Sequence, residues 1–298
     1  MVYNNFQPPL RIVLNNDCNG RCNFCHQEGN KNQCNFSEEI LNECIEAINK
    51  LKIVNVSLTG GEPTLFADLP HVINAVSDRC NTTKLSLTTN GKNLCPMIPQ
   101  IKYTIHGVNL SIVSFDPFIA SDYQNVVPED ALKGLEIFPA YNKTLNIMIL
   151  NQNYIEFDRW VEFCVKKEYN LDLMFLNKFD SDYQQIQKYI MNKIIKMGEA
   201  QIILRSTPVM QVNISENNYI RIKHPFLSQL VKRDICRGCQ WDESCFERVC
   251  AVRVYGDGIV SPCLSNYIQD MSENRVSEKI EVIYKKLENI NGIYEFLL

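Results

Sequence analysis

The sequence has no long apolar run, no secretion signal and no excess of positive charge. Because no stretch of about 18 uninterrupted apolar residues occurs, we expect no membrane-spanning helix and no membrane partner. Residues 1–9 lack a basic segment followed by an apolar run, so we expect no signal peptide and a cytoplasmic location. The formal net charge of −4 at pH 7 argues against a nucleic-acid partner.

Cysteine, in contrast, is abundant, with 13 residues in 298. Without a secretion signal, so many cysteines indicate metal binding in a reducing compartment rather than disulfides. Cys18, Cys22 and Cys25 follow the first apolar segment with the spacing C-x3-C-x2-C. Thiolates are the usual ligands of iron–sulfur clusters, and the four irons of a [4Fe–4S] cluster normally take four. Three cysteines therefore predict a cluster with one iron open to an outside ligand, and the alternative is a zinc site completed by His26.

Apolar strand-like segments alternate with amphipathic helical segments over the first 180 residues. Such alternation implies right-handed β-α-β units in a mainly parallel sheet. About six units predict an α/β fold whose sheet forms a partial (β/α)6 barrel, with its chemistry at the carboxyl ends of the strands. The predicted strands are residues 10–14, 54–58, 85–89, 109–113, 145–150 and 171–176.

Two further polar turns follow predicted strands. Thr59-Gly60-Gly61-Glu62-Pro63 comes directly after the second strand, and Thr88-Thr89-Asn90-Gly91 ends the third. Two glycines allow the backbone to approach a ligand closely, and a carboxylate can receive an amino group. Each turn alone is compatible with a simple connection. Together with the cysteine loop, they place three polar turns at one end of the barrel.

The C-x3-C-x2-C, G-G-E-P and T-T-N-G motifs together resemble those of the radical S-adenosylmethionine (radical SAM) superfamily. The resemblance implies that Cys18, Cys22 and Cys25 bind a [4Fe–4S] cluster whose open iron is chelated by S-adenosylmethionine (SAM). It implies that SAM is cleaved reductively to methionine and a 5′-deoxyadenosyl radical, with electrons from a donor such as flavodoxin or ferredoxin. The radical would abstract hydrogen from a substrate. The SAM-binding residues that it implies are Phe24, Gly60, Gly61 and Glu62, and the closer resemblance to the GTP cyclases, given next, adds Thr88 and Ser111.

Most of the chain looks similar, more specifically, to the GTP cyclases that begin molybdenum-cofactor biosynthesis. The similar segments include Leu10-Arg11-Ile12, Cys25-His26-Gln27-Glu28-Gly29 and Val108-Asn109-Leu110-Ser111. This resemblance implies Arg11 and Arg253 as substrate-binding residues, and the alternative for both is a structural ion pair.

Several departures from the cyclase pattern argue against GTP, because each cationic contact to phosphate contributes to binding. Thr144, Met174 and Ala251 stand where the cyclases have cationic residues. Asn177 and Val113 replace acidic ones. Residues 295–298 do not resemble the diglycine tail of the cyclases, and we expect no such tail here.

A second group of cysteines, residues 236–263, lies in the C-terminal third. Gly256-Asp257-Gly258 between two apolar segments predicts a hairpin that brings cysteines on its two sides together. The layout resembles the twitch or SPASM auxiliary-cluster regions of radical SAM enzymes and implies a second iron–sulfur cluster of [4Fe–4S] type. Structural zinc is the alternative, and the spacing leaves open which four cysteines bind. The candidate ligands are Cys236, Cys239, Cys245, Cys250 and Cys263.

The resemblance divides the chain into a radical SAM partial barrel, residues 1–180, and an auxiliary cluster region, residues 181–298. Relatives with auxiliary clusters modify ribosomally made peptides, sugars or nucleosides. The less cationic pocket and the apolar tail favour a peptide, although we expect no separate leader-binding domain before Cys18. The alternatives are a small-molecule or nucleoside substrate, and a non-enzymatic iron–sulfur or zinc scaffold.

Overall fold

The computed structural model describes residues 2–3, 7–25, 28, 36–176, 181–224, 227, 230–236, 239, 245, 249–263, 275–287 and 290–293. Its strands are β1 (Val2–Tyr3), β2 (Leu10–Val13), β3 (Asn55–Thr59), β4 (Lys84–Thr89), β5 (Ile105–Ser111), β6 (Ala140–Ile149), β7 (Asn170–Phe175), β8 (Gln201–Leu204), β9 (Val209–Asn213), β10 (Tyr219–Lys223), β11 (Val231–Arg233), β12 (Val252–Val254), β13 (Val260–Ser261) and β14 (Ile290–Ile293). Its α-helices are α1 (Glu38–Leu51), α2 (Leu69–Arg79), α3 (Leu94–Met97), α4 (Pro117–Gln124), α5 (Pro128–Ile137), α6 (Phe157–Lys167), α7 (Ser181–Ile195) and α8 (Val276–Leu287).

Within the described part of the chain, twelve strands form one sheet in the order β1-β8-β9-β10-β7-β6-β5-β4-β3-β2-β12-β13. From β2 to β7, neighbours in space are also neighbours in sequence, and each pair is parallel. Helices connect these strands, as right-handed β-α-β units require. Strand β10 extends the parallel run beyond β7, and β12 extends it beyond β2. The predicted α/β fold with six parallel barrel strands is confirmed.

The sequence of β6 shows how the barrel acquires an apolar outside and a polar inside. Leu145, Ile147 and Ile149 are fully buried, and they alternate with the half-buried Asn146 and Met148. Successive side chains of a strand point to opposite faces, so the first set faces the helices and the second faces the barrel interior. The same alternation on the neighbouring strands leaves a polar interior that ends at the carboxyl edge of the sheet.

Helix α1 is capped at both ends. The Ser37 hydroxyl accepts a hydrogen bond from the backbone N–H of Ile40 at 3.3 Å, and two glutamates occupy the first turn. The helix stops at Lys52, whose φ of +51° is left-handed. Helix α8 packs on α1, with Lys50 and Glu281 paired at 2.6 Å. The C-terminal helix therefore covers the core of the same molecule.

The predicted hairpin near the C-terminus is present and joins the barrel directly. Strands β12 and β13 are antiparallel, and Gly258 adopts a φ of +77° in the turn. Strand β12 also pairs in parallel with β2, which places Arg253 opposite Arg11. Strands from both sides of residue 180 thus share one sheet, while the domain boundary proposed there stays a prediction. In the described part of the chain, none of the helices combines the length and the apolar character that a membrane span requires.

Candidate functional site

A cavity of about 500 Å³ lies at the carboxyl ends of the barrel strands. Its wall includes at least one residue from each of β2 to β7 and from β10 and β12. The predicted cluster cysteines, the predicted SAM-binding residues, the two predicted substrate arginines and one C-terminal cysteine all line it. These residues are Cys18, Cys22, Cys25, Phe24, Gly60, Gly61, Glu62, Thr88, Ser111, Arg11, Arg253 and Cys250.

The start of the cysteine loop is bonded to the glycine turn after β3. The backbone N–H of Gly61 donates to the carbonyl of Asn15 at 2.9 Å, and that of Glu62 donates to the carbonyl of Asp17 at 2.7 Å. A Cβ on Gly60 would lie 2.4 Å from Asn15 Oδ1, and one on Gly61 would lie 2.4 Å from the Asp17 carbonyl oxygen. Both positions therefore need glycine so that the two loops can meet.

Polar side chains hold the other side of the cysteine loop. Asn90 Nδ2 donates to Asn19 Oδ1 at 2.8 Å, and Lys92 Nζ donates to the Asn19 carbonyl at 3.3 Å. The carbonyl of Gln124, at the end of α4, accepts from the backbone N–H of Arg21 at 3.1 Å. Sequence reasoning missed Lys92 and Gln124 as supports of the loop. The pair Asp116-Pro117, an N-cap followed by proline at N1, was the available signal for α4.

The three thiols of the loop lie close enough to influence one another. Burial, followed by the neighbouring Cys25 and Cys18 thiols, raises the pKa of the Cys22 thiol to about 12. The backbone N–H of Gly20 donates to Cys18 Sγ at 3.3 Å. A thiol such as that of Cys22 needs a cationic partner to be held as a thiolate, and an iron centre supplies one. The donor set therefore fits an iron–sulfur cluster.

Among the described residues, neither predicted cysteine group forms a site for a single metal ion. Within the described residues, no three His, Cys, Asp or Glu side chains are arranged to hold a single metal ion. The cysteine ligands of a [4Fe–4S] cluster bind different irons, so they need not meet at one position. His26, the fourth ligand of the zinc alternative, lies outside the described residues.

Glu62 ties the turn after β3 to the turn after β4. Its Oε1 accepts hydrogen bonds from the hydroxyls of Thr64 and Thr89, each at 2.6 Å, and its Oε2 accepts from the backbone N–H of Asn90 at 2.7 Å. The side chain is buried, and burial raises its pKa against the effect of these hydrogen bonds. The predicted contact with the amino group of SAM stays a prediction, because the carboxylate oxygens already have partners within the chain.

The other predicted SAM-binding side chains occupy the wall between the cysteine loop and β5. Phe24 packs against a small apolar cluster that contains Val113 and Leu150. The hydroxyl of Thr88 accepts from Asn109 Nδ2 at 3.4 Å, next to Ser111 on β5. This placement is compatible with SAM binding, and the individual contacts stay predictions.

Arg11 and Arg253 share the carboxylate of Glu28. Arg11 Nη1 donates to both oxygens of Glu28, at 2.9 and 3.0 Å, and Arg253 Nε donates to Oε1. The side chain of Arg253 is 0% exposed, that of Glu28 5% and that of Arg11 33%. Glu28, opposed by burial, raises the pKa of Arg11. Burial works against the charge of Arg253, but Cys250 and Glu28 outweigh it and raise its pKa. Both predicted substrate arginines are therefore charged and belong to a buried ion triad.

Of the five C-terminal cysteines, the structure brings Cys250 to the cavity wall, where its Sγ accepts from Arg253 Nη2 at 3.3 Å. The backbone N–H of Cys239 donates to the carbonyl of Cys236 at 3.2 Å. Cys263 follows β13, and its carbonyl accepts from the Ser261 hydroxyl at 2.6 Å. The assignment of these cysteines and of the half-buried Cys245 to an auxiliary cluster stays a prediction.

The residues that depart from the cyclase pattern differ in whether they line the cavity. Met174 lines the cavity, whereas Thr144 and Val113 are buried outside its wall. Ala251 is buried, and its carbonyl accepts from Arg253 Nη1 at 3.1 Å. Asn177 and residues 295–298 lie outside the described residues. Only some of these substitutions therefore change the surface that a substrate meets.

Sequence reasoning also missed several residues of the cavity wall on its far side. Asn146 and Met148 lie near the carboxyl end of β6, Lys223 is the last residue of β10, and His224 follows it. Burial lowers the pKa of His224, whose ring meets that of Phe175 edge-on with centroids 5.5 Å apart. The alternation of apolar and polar residues over 219–223 was the available signal, because the carboxyl end of such a strand would have indicated Lys223.

Comparisons with known proteins agree with this geometry. A family model described as "Radical SAM superfamily" matches residues 12–164. The chain is 27% identical over 301 residues to "Probable GTP 3′,8-cyclase" of Sulfurisphaera tokodaii, and the alignment covers 97% of this chain and 91% of that protein. It is 34% identical over 143 residues to the protein of the same name from Thermococcus kodakarensis, covering 45% of this chain and 44% of that one.

A solved structure with a similar fold is that of Streptococcus suis SuiB bound to S-adenosylmethionine. The TM-score is 0.64 at 18% sequence identity. The alignment covers 94% of this chain, which spans 66% of the length of SuiB. At this identity the similarity concerns the fold alone.

Proposed function

Because the chain belongs to the radical SAM superfamily, as its three motifs predict, we propose that it uses a SAM-derived radical to abstract hydrogen from a nucleoside or nucleotide. The chain is an enzyme that uses a [4Fe–4S] cluster with SAM, and the alternative of a non-enzymatic scaffold is wrong. When bound, these groups supply a 5′-deoxyadenosyl radical through reductive cleavage of SAM. The protein provides the positions of cofactor and substrate.

In this proposal Cys18, Cys22 and Cys25 hold the cluster. Gly60 and Gly61 let the turn after β3 approach the cysteine loop closely enough to meet a ligand on the open iron. The apolar side chain of Phe24, in the same wall, would pack against the adenine and exclude water from it.

The observation that carries the substrate class is the pair Arg11 and Arg253 on neighbouring strands of the cavity wall. Arginine is well suited to bidentate recognition of phosphate. Glu28 compensates one of the two positive charges and fixes the orientation of both guanidinium groups. Arg11, whose side chain is 33% exposed, presents the remaining positive charge to a cavity of about 500 Å³, and this favours a compact anionic substrate.

The peptide substrate that the sequence favoured is not supported. The curated relatives aligned above, one of them over nearly the whole chain, are named GTP 3′,8-cyclases, which favours the small-molecule alternative. We nevertheless expect GTP itself not to be cyclised, because Met174 lines the cavity where the cyclases have an arginine. A second iron–sulfur cluster on the C-terminal cysteines and a flavodoxin- or ferredoxin-type electron donor complete the proposal.

The test is a substrate-dependent assay with anaerobically reconstituted enzyme, SAM and dithionite. A panel of nucleosides and nucleotides, including GTP, is compared with a panel of short peptides. We expect a nucleoside or nucleotide to increase 5′-deoxyadenosine formation, and deuterium on the substrate to appear in that product. GTP should give no 3′,8-cyclised nucleotide. Stimulation by peptides alone would overturn the substrate class without affecting the cofactor assignment.

A further inference from the structure

Lys92 joins the cysteine loop to the turn after β4 and to the end of α4. Its Nζ donates to the carbonyl of Asn19, next to Cys18, at 3.3 Å, and to the carbonyl of Asn125 at 2.9 Å. Its backbone N–H donates to Asn90 Oδ1 at 3.0 Å, which fixes the start of the side chain. The motifs that identify the family end one residue before Lys92.

Neutral amide groups already hold the same part of the loop. Asn125 Nδ2 donates to the Asn19 carbonyl at 3.2 Å, and Asn90 Nδ2 donates to Asn19 Oδ1 at 2.8 Å. A long, flexible lysine side chain loses more conformational entropy on ordering than most side chains do. What Lys92 adds beyond these amide contacts is one positive charge.

The positive charge lies against the negative end of a helix. Backbone carbonyls at the carboxyl end of a helix carry partial negative charge. The carbonyl of Gln124, in the last turn of α4, accepts from the backbone N–H of Arg21 at 3.1 Å, and Asn125 ends the helix with a left-handed φ of +58°. This end of α4 therefore faces the cysteine loop, and Lys92 opposes its partial negative charge.

Other charged side chains beside the loop do not substitute for Lys92. Cys18 interacts electrostatically with both Lys92 and Glu62, and the carboxylate acts in the opposite direction to the ammonium group. Asp17 and Arg21, on the loop itself, are exposed and opposite in sign, so water and salt screen them. Lys92 is half-buried, where a charge acts more strongly on its surroundings.

We propose that the charge of Lys92 raises the reduction potential of the [4Fe–4S] cluster on the cysteine loop. Reduction takes one electron from a donor of the flavodoxin or ferredoxin class, which is oxidised by one electron, and no bond forms or breaks. The cluster gains one negative charge, and a nearby positive charge stabilises that form. Lys92 is thus a positioning residue that acts through the cluster. The inference rests on the cysteine ligands of the proposed function and is independent of the substrate class.

The test is a redox titration of anaerobic, iron-loaded enzyme without SAM, followed by electron paramagnetic resonance of the reduced cluster. The signal to follow is the one that Cys22→Ala removes. We expect Lys92→Gln, which keeps an N–H donor but has no charge, to lower the equilibrium constant for reduction about tenfold. For a one-electron couple this is a shift of about 59 mV to more negative potential. Lys92→Arg, which keeps the charge, should stay within about threefold of the wild type.

Lys166→Met is the control for the loss of one positive charge. Lys166 is exposed in the last turn of α6, which leads into β7 and so ends at the opposite edge of the sheet from the cysteine loop. This variant should keep the wild-type potential. The inference is overturned if Lys92→Gln has the same potential as Lys166→Met, or if Lys92→Arg shifts the potential as far as Lys92→Gln. It is also overturned if Lys92→Gln cannot be loaded with iron, because Lys92 would then be structural.

The cysteine assignment and the role of Lys92 can fail separately. If Cys22→Ala removes no signal, the cysteine ligands of the proposed function are refuted, and the inference with them. If Cys22→Ala removes a signal whose potential does not change in Lys92→Gln, the cysteine ligands are supported and the role of Lys92 is refuted.

Discussion

The buried triad of Arg11, Glu28 and Arg253 makes a sharp prediction for stability. Replacing Arg253 by methionine keeps the approximate volume of the side chain but removes the fully buried cation. The Glu28 carboxylate, 5% exposed, would then lose the more deeply buried of its two arginine partners. Removing one partner of a buried ion pair costs about 3–5 kcal/mol. Because Arg11 still pairs with Glu28, we expect the lower limit, about 3 kcal/mol.

The assay is thermal unfolding of anaerobic protein at matched iron content. At about 2 °C per kcal/mol for a chain of this size, Arg253→Met should lower the Tm by about 6 °C. Arg11→Met is the comparison, because Arg11 is 33% exposed and water can replace part of its contact. It should cost about 1 kcal/mol, within the range measured for partly exposed pairs.

A third variant identifies the cause of the loss. Glu28→Gln in the Arg253→Met background removes the negative charge that Arg253 no longer compensates. It should reverse at least half of the decrease in Tm that Arg253→Met causes. The reasoning is refuted if Arg253→Met melts within about 1 °C of the wild type, or if Arg11→Met is the more damaging of the two single changes.

Three other predictions concern the loops and clusters. Gly61→Ala places a Cβ 2.4 Å from the Asp17 carbonyl oxygen and should weaken SAM binding about tenfold or more. The control is Gly107→Ala, whose Cβ lies 3.5 Å from its nearest neighbour and which should leave SAM binding unchanged. Equal SAM affinities of the two variants would contradict the argument that Gly61 is needed for close approach of the two loops. Replacing Cys236, Cys239, Cys250 and Cys263 together should reduce iron and sulfide from about eight to about four per chain; a count of about four before and after would rule out the second cluster. Glu62→Gln should disturb the turn after β4, measurable as a loss of SAM affinity, and unchanged SAM affinity would show that its hydrogen bonds to Thr89 and Asn90 do not shape the site.

Local patterns were enough to predict the barrel and one half of the cavity. Periods of two and 3.6 residues located the strands and helices, and the carboxyl-end rule for parallel strands brought three polar turns together. The hairpin near Gly258 could be predicted for the same reason, because it depends on residues within a few positions of each other.

The other half of the cavity depends on contacts between distant parts of the chain. Glu28 and Arg253 are 225 positions apart, so no spacing in the sequence indicates that they pair. Lys223 lines the cavity because β10 pairs with β7, although β8 and β9 lie between these two strands in the sequence. Helix α4 is short, and Phe118 on it is 86% exposed, so its apolar pattern was too weak to predict a helix.

The most direct test of the central claim is the formation of 5′-deoxyadenosine by reduced, cluster-loaded enzyme with SAM. The wild type should form 5′-deoxyadenosine and methionine when dithionite is added, and Cys22→Ala should form neither, with about four irons fewer per chain. Undiminished 5′-deoxyadenosine formation by Cys22→Ala, or none by the fully loaded wild type, would contradict the assignment of the loop from Cys18 to Cys25 as the site of radical generation.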